Sequence, residues 1–142
     1  MLNFAILSAG NIAGRMARTL DSLRDEVQPY AIAARDSARA QALAGRYGFA
    51  KSFAGYEALL ADPAIDAVSI CAANTAHAEL TIAALRAGKH VLCEKPMATT
   101  LADCEAMVAA ARESGKFLMI GQNQRLTKAH QKARQLVADG VL

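Results

Sequence analysis

The sequence has little of what several classes of protein require. It has no Trp, 5% aromatic residues and three Pro in 142 residues. Its sixteen Lys and Arg are scattered among thirteen Asp and Glu, with no basic run and no aromatic side chains between basic ones. We therefore expect no surface that stacks bases and neutralises phosphates, and no binding to nucleic acid. The low aromatic content also argues against an all-β sandwich.

Cysteine is scarce as well, and its positions exclude further classes. Cys71, Cys93 and Cys104 form neither a CxxC pair nor a cluster with His, so no metal site is predicted. Each lies in or beside an apolar segment, which indicates reduced core thiols in a cytoplasmic protein. No positively charged leader opens the chain and no apolar run approaches the roughly 18 residues that span a bilayer, so we expect neither export nor a membrane-bound protein.

Hydrophobic residues are abundant, at 54%, and their pattern predicts the fold. Short apolar segments alternate with segments of helical periodicity, which gives six strands separated by five helices. The predicted strands are residues 3–8, 30–34, 50–53, 67–71, 90–93 and 117–121. This alternation predicts an α/β fold, a doubly wound parallel sheet with helices on both faces. A ligand is expected at the carboxyl ends of the strands.

Several residues predict where the helices begin and which side they bury. Asp36 or Ser37 is placed to cap the second helix, and Thr100 with Asp103 the fifth. For the fourth helix the expected cap is Asn74 or Thr75. In the first helix, the expected buried side carries Ile12, Met16 and Leu20, which are four residues apart.

The turn after the first strand departs from the pattern G-x-G-x-x-G. Ser8 replaces the first Gly and Ala13 the third, whereas Gly10 keeps the position at which the backbone approaches a pyrophosphate. Small residues also serve any tight contact between a helix and a strand. The turn by itself therefore leaves a phosphate-binding and a packing interpretation open.

The second strand ends at Ala34 and Arg35, where many NAD-binding domains carry an Asp or Glu for the adenosine ribose. A guanidinium can hold phosphate oxygens in a bidentate fork, so Arg35 favours the 2′-phosphate of NADP, with NAD as the alternative cofactor. Asp36 is assigned to helix capping. The other interpretation of Arg35 is an ordinary solvated charge.

Glu94, Lys95 and Pro96 follow the fifth strand, so a Lys is aimed at the crevice where a nicotinamide would lie. Such a Lys can hydrogen-bond a substrate oxygen as its charge changes during hydride transfer, or relay a proton. Pro96 is a candidate for a cis peptide bond. The alternative is a surface Glu–Lys pair at the end of a strand.

With these residues identified, the chain resembles the Gfo/Idh/MocA oxidoreductases over essentially its whole length. Residues 72–77 and 88–96 are similar to the signature of that family, and residues 6–10 with 33–36 resemble the branch that contains dihydrodiol dehydrogenases. The resemblance implies an NADP-dependent enzyme. It would transfer a hydride between the nicotinamide and a hydroxyl or carbonyl carbon of a sugar, polyol or diol.

The same resemblance implies site residues. In chain order, the implied cofactor-binding residues are Ser8, Ala9, Gly10, Asn11, Ile12, Arg35, Ala72, Ala73, Asn74, His77, Glu94, Lys95, Gln122 and Arg125. Lys95 is also the catalytic candidate. For His77 the alternative is a hydrogen bond to the backbone.

The resemblance further implies two parts of the chain. Residues 1–125 would be the NAD(P)-binding domain, and residues 126–142 a helix that leads to a second domain supplying most of the substrate pocket. A free-standing dinucleotide-binding regulator and a fold kept only as an association surface are the alternatives. We also expect a homo-oligomer, because apolar surface beside the linking helix would otherwise be exposed.

Overall fold

The computed structural model describes residues 1–141, in which six parallel strands alternate with helices. The strands are β1 (Leu2–Leu7), β2 (Val27–Ala34), β3 (Lys51–Ala54), β4 (Ala67–Ile70), β5 (His90–Cys93) and β6 (Leu118–Ile120). The helices are α1 (Asn11–Ser22), α2 (Ser37–Tyr47), α3 (Glu57–Ala61), α4 (His77–Arg86), α5 (Leu101–Ser114) and α6 (Lys128–Ala138). The strand order β3-β2-β1-β4-β5-β6 is that of a doubly wound sheet, which confirms the predicted fold class.

Helices cover the two faces of the sheet in two groups. Alternate residues of a strand point to opposite faces, so Leu7 belongs to one core and Ile6 to the other. Helices α3, α4 and α5 cover the first face, where Leu59, Leu85 and Met107 are fully buried. Helices α1 and α2 cover the second face with alanines, which lets their backbones approach the strands closely.

The buried side of α1 differs from the predicted one. Ala13, Ala17 and Leu20 face the sheet, whereas Ile12 is exposed and Met16 half-buried. The prediction was wrong for Ile12, whereas Leu20 is buried and Met16 packs half-buried against the same core. Ala13 and Ala17 take the buried positions instead of Ile12, since a helix packed close to the strands has little room there for a longer side chain.

Strand β2 begins three residues before the predicted start, and Pro29 explains why the pattern hid this. Phe4 of β1 pairs with Pro29, and the next residue, Ala5, pairs with Ala31, so the register shifts by one residue there. Pro has no N–H to donate and weakens a strand prediction. The bulge accommodates Pro29 and lets the rest of β2 pair normally with β1.

Two of the three predicted helix caps are confirmed. The Asp36 carboxylate accepts the backbone N–H of Arg39, and Thr100 Oγ1 accepts that of Asp103 at 3.1 Å. The predicted cap at Asn74 or Thr75 is wrong. A 3₁₀ turn, Asn74–Ala76, precedes α4, so neither side chain is at the position from which it could cap the helix.

A buried lysine joins the loops at the amino edge of the sheet. Lys89 is 5% exposed, and its Nζ donates hydrogen bonds to the carbonyls of Asp62 and Ile65 at 2.7 and 2.9 Å. Burial lowers the pKa of this amine. Hydrogen bonds to charged groups contribute about 1.5–3 kcal/mol each, so Lys89 holds the end of α3 against the start of β5.

The second face of the sheet is open over β5 and β6. Leu92 is half-buried and Met119 is 58% exposed, while the neighbouring residues on the first face, Val91 and Cys93, are buried. Helix α6 follows β6 through a 3₁₀ turn, Asn123–Leu126, and none of its eleven residues is buried. This end of the domain therefore carries apolar side chains without the cover found over β1 and β2.

Candidate functional site

A cleft of about 590 Å³ opens where the sheet order reverses, between the carboxyl ends of β1 and β4. Clefts of about 300–1,000 Å³ at such switch points are the usual ligand sites of open α/β sheets. The lining residues are Ser8, Ala9, Gly10, Ala34, Arg35, Asp36, Arg39, Tyr56, Ala72, Ala73, Thr75, Ala76, Glu79 and Leu80. The ends of three strands, β1, β2 and β4, thus contribute to one cavity.

The turn after β1 has the geometry of a glycine turn although it begins with Ser. Ser8 has φ of 108°, and within residues 1–141 it is the one non-glycine residue with positive φ. Its backbone N–H donates to the carbonyl of Ala33 at 2.7 Å, and its Oγ accepts the N–H of Gly10 at 3.4 Å. These hydrogen bonds hold Ser8 in a backbone conformation that costs a residue with a side chain on the order of 1 kcal/mol or more.

Neither the backbone angles of Gly10 nor its neighbours within the domain require a glycine. Its φ of −85° and ψ of −172° suit any residue, and a Cβ built there would meet only Ser8 Oγ, at 3.8 Å. The space beside Gly10, which lines the cleft, is therefore open. The position therefore fits a ligand that approaches the backbone closely, as a pyrophosphate does.

The first turn of α1 leaves backbone donors free at the same place. No side chain caps this helix and its first turn holds no acidic residue, whereas Asp36 caps α2 and Thr100 caps α5. The N–H groups of a first turn have no partner within the helix and carry a partial positive charge. Asn11 and Ile12 lie in this turn, so both predicted residues are where an anion would be held.

Two arginines line the end of the cleft at β2. Arg35 follows β2 directly, and Arg39 lies one helical turn further along, in the first turn of α2. Asp36 also lines the cleft, but its carboxylate accepts the Arg39 N–H at 3.2 Å, as the capping assignment predicted. Sequence reasoning missed Arg39, although its distance of four residues from Arg35 could have indicated it.

Other lining residues were missed as well. Tyr56 follows the positive-φ glycine after β3, and Thr75 and Glu79 belong to the 3₁₀ turn and α4. Tyr56 could have been found from its position at the carboxyl end of a strand next to β2. The contributions of Thr75 and Glu79 depend on the 3₁₀ turn, which was not predicted.

His77 has its ring turned into the protein. It is 1% exposed, and its Nδ1 and Nε2 lie 2.7 and 3.2 Å from the carbonyl oxygens of Pro96 and Ala72. Neither nitrogen is left for a ligand, so the structure favours the backbone-binding alternative over direct cofactor contact. His77 links Ala72, in the cleft wall, to the segment after β5.

The segment after β5 lies beside the cleft. Glu94 continues the hydrogen-bond ladder between β5 and β4, because its backbone N–H donates to the carbonyl of Ile70 at 3.1 Å. Lys95 is exposed, and its backbone N–H donates to the Glu94 carboxylate at 3.3 Å. The Lys95–Pro96 peptide bond is cis, as predicted. The ion pairs within residues 1–141 are Arg24–Asp21 and Lys51–Asp62, so Glu94 and Lys95 do not form the surface pair considered above.

Gln122 and Arg125 lie together in a second hollow of about 610 Å³, next to Glu94 and away from the two arginines. Its walls are the uncovered face of β5 and β6 and the exposed side of α1, represented by Leu92, Met119 and Met16. The structure places the predicted residues in different surroundings. The residues that line the cleft are Ser8, Ala9, Gly10, Arg35, Ala72 and Ala73, and those that border the open face are Glu94, Gln122 and Arg125. The other predicted residues, Asn11, Ile12, Asn74, His77 and Lys95, line neither cavity.

The three cysteines are free, and Cys71 and Cys93 are buried as predicted. The core position predicted for Cys104 is wrong, because this residue lies half-buried on α5 beside a surface groove. Burial raises the pKa values of the Cys71 and Cys93 thiols to about 11. At neutral pH both are protonated and unreactive. Within the described part of the chain, no group of three His, Cys, Asp or Glu residues could hold a metal ion, and no helix is long and apolar enough to cross a membrane.

The fold and the cleft define a doubly wound dinucleotide-binding domain. Residues 2–122 match the family described as the GFO_IDH_MocA oxidoreductase family, NAD-binding Rossmann fold. The chain belongs to this Gfo/Idh/MocA family, as its residues had indicated, and is its NAD(P)-binding domain.

Individual relatives agree with this assignment. The chain is 47% identical over 102 residues, 72% of its length, to 1,5-anhydro-D-fructose reductase of Ensifer adhaerens. It is 37% identical over 142 residues to trans-1,2-dihydrobenzene-1,2-diol dehydrogenase of Mus musculus. A 3-ketoreductase of Actinomadura kijaniata, solved with NADP and TDP-benzene, superposes with a TM-score of 0.90 at 33% identity over 99% of this chain. The chain spans 31%, 43% and 43% of these three proteins, respectively.

Proposed function

We propose that this domain binds NADP(H) in preference to NAD(H), as part of an oxidoreductase acting on a hydroxyl or carbonyl carbon of a sugar, polyol or diol. The observation that carries the proposal is the pair Arg35 and Arg39 at the end of the cleft, with the Asp36 carboxylate engaged in a cap. Two guanidinium groups attract a 2′-phosphate. The neighbouring Asp36 carboxylate accepts the backbone N–H of Arg39 as the cap of α2. The relatives named above reduce or oxidise such substrates.

In this proposal each part of the cleft holds one part of the cofactor. The open space at Gly10 and the first turn of α1, with Ser8, Ala9, Asn11 and Ile12, receive the pyrophosphate. Ala72 and Ala73 form the opposite wall, Asn74 follows them in the chain, and His77 contacts the Ala72 carbonyl from behind. Glu94, Lys95, Gln122 and Arg125 lie on the nicotinamide side. NADP(H), when bound, accepts or supplies the hydride.

Lys95 is the proposed catalytic residue. Its amine is exposed at the carboxyl end of β5 and outside the ion pairs of residues 1–141, so its protons are available to a substrate oxygen. A hydrogen bond from Lys95 would stabilise the negative charge that develops on that oxygen as a carbonyl is reduced. In the reduction the ammonium group would then give that oxygen a proton, and in the oxidation the neutral amine would take up the hydroxyl proton.

The proposal also covers the whole protein. Residues 1–125 are the cofactor domain and 126–142 the helix leading to a substrate-binding domain, which the uncovered α6 and the greater length of the relatives support. We propose a cytoplasmic protein on the ground of its three free thiols. We also propose self-association, supported by apolar side chains exposed on the domain surface.

Calorimetric titration with NADPH and NADH tests the cofactor assignment. Arg35→Ala and Arg39→Ala should each weaken NADPH binding about 10- to 100-fold, because each removes a charge-assisted contact with the 2′-phosphate. NADH binding should change less than about 3-fold. Arg18→Ala, an exposed arginine on α1 outside the cleft, serves as the matched control and should change neither. Equal loss of both cofactors, or none, would contradict the proposed preference.

A further inference from the structure

Part of the cleft lies beyond the residues assigned to the pyrophosphate and to the 2′-phosphate. Five residues line it, namely Tyr56, Thr75, Ala76, Glu79 and Leu80. Tyr56 lies between β3 and α3, and the other four belong to the 3₁₀ turn after β4 and to the start of α4. We call this part of the cleft the side pocket. The proposed function gives none of its residues a role.

The walls of the side pocket are apolar. Leu80 is 7% exposed, Tyr56 and Ala76 are half-buried, and all three belong to or pack against the core on the first face of the sheet. Helices α1 and α2, which carry the phosphate-binding residues of the proposal, cover the second face instead. An aromatic ring and aliphatic side chains suit a flat ring that is apolar on its faces and polar at its edge, as a purine base is.

The covalent structure of a dinucleotide directs its base to this pocket. The base and the 2′-phosphate are attached to neighbouring carbons of one ribose, so a phosphate held by Arg35 and Arg39 keeps the base in the same cleft. The pyrophosphate leaves the other end of that ribose toward Gly10 and the first turn of α1. The apolar lining left for the base is that of the side pocket.

Glu79 brings to the side pocket a group that can only accept hydrogen bonds. Its side chain is exposed, lines the cleft and takes part in neither of the ion pairs within residues 1–141. Adenine has a donor, the 6-amino group, where hypoxanthine and guanine have a carbonyl oxygen. A carboxylate accepts a hydrogen bond from the first and repels the second. Glu79 is therefore suited to distinguish the two kinds of base.

We propose that Glu79 determines the base specificity of the cofactor site. Its carboxylate accepts a hydrogen bond from the 6-amino group of an adenine that lies against Tyr56 and Leu80. This inference rests on the proposed function, because it requires a dinucleotide in the cleft. It assigns to Glu79 the selection of adenine over a 6-oxo purine, and no part in hydride transfer.

Calorimetric titration with NADPH and with its hypoxanthine analogue tests the assignment. The unchanged chain should bind NADPH about 10-fold more tightly than the analogue, in which a 6-oxo group replaces the 6-amino group. In Glu79→Gln the preference should fall below about 2-fold, because an amide can present its NH₂ group to a 6-oxo group as well as its oxygen to a 6-amino group.

Glu57→Gln is the matched control. Glu57 and Glu79 are each the acidic residue in the first turn of a helix, and both are exposed, but Glu57 does not line the cleft. This variant should keep the full preference of about 10-fold. Its melting temperature should match that of Glu79→Gln within about 3 °C, because each removes one carboxylate from a helix N-terminus. A lost preference in Glu79→Gln then reports on the base and not on folding.

NADH and its hypoxanthine analogue separate this inference from the proposed NADP preference. The ratio for this pair should again be about 10-fold, since neither molecule carries a 2′-phosphate. A chain that keeps this ratio but binds NADH as tightly as NADPH would count against the role of Arg35 and Arg39 and support that of Glu79. Equal affinity for the two bases, or a preference that survives in Glu79→Gln, would overturn this inference alone. A chain that binds none of the four dinucleotides would overturn both.

Discussion

Strands β1 and β2 bury side chains on both faces of the sheet, whereas β5 and β6 bury them mainly on one. The first half carries a cleft lined by strand ends, by loops and by the first turns of helices. The second half carries Glu94, Gln122 and Arg125 beside an open apolar face. In the proposed function, local turns thus assemble the phosphate-binding part of the site, while the reacting end borders the open apolar face.

The largest expected effect is a difference in amide hydrogen exchange between the two halves. Amides of β1 and β4 should exchange at least about 10⁴-fold more slowly than those of α6, because core strands open only with the whole domain. Helix α6 buries no residue, and an isolated helix of eleven residues is marginal in water. Mass spectrometry of pepsin fragments measures the difference. Strong protection across residues 128–138 would show that the open half is covered in solution and would remove the contrast.

Gly10→Val should fill the part of the cleft beside Gly10 without unfolding the domain. The extended backbone at Gly10 accepts a valine, but the new side chain would occupy the space assigned to the pyrophosphate. NADPH binding should weaken about 100-fold, or about 2.7 kcal/mol, by calorimetry. Gly45→Ala, at an exposed position of α2 with open space around it, should keep full affinity and gain about 0.5–1 kcal/mol of stability. Normal affinity in Gly10→Val would mean that the ligand lies elsewhere.

Lys95→Met probes the open half and should have the smallest effect on binding. Most of the cofactor contacts proposed here lie in the cleft, so NADPH affinity should fall less than about 5-fold. Turnover of a carbonyl substrate by the whole protein, in which the proposed second domain completes the substrate pocket, should fall about 100-fold by NADPH absorbance if the amine stabilises charge on the substrate oxygen. A large loss of affinity with unchanged turnover would reverse the roles assigned to the two halves.

The sequence by itself determined the features that depend on neighbouring residues. Strand–helix alternation, the caps at Asp36 and Thr100 and the glycine turn after β1 all follow from short-range hydrogen bonding and hydrophobic spacing. The family signature in residues 88–96 likewise lies in one continuous segment. These predictions were confirmed because the residues concerned interact within a few positions of one another.

Only the tertiary structure decided features that depend on distant contacts. His77 turns to Ala72 and Pro96, Arg39 joins Arg35 in the cleft, and α1 buries alanines in place of Ile12. In each case the side chain has several chemically reasonable environments, and packing against another part of the sheet selects one. Helix periodicity describes which residues share a face, but the sheet and its neighbours determine which face is buried.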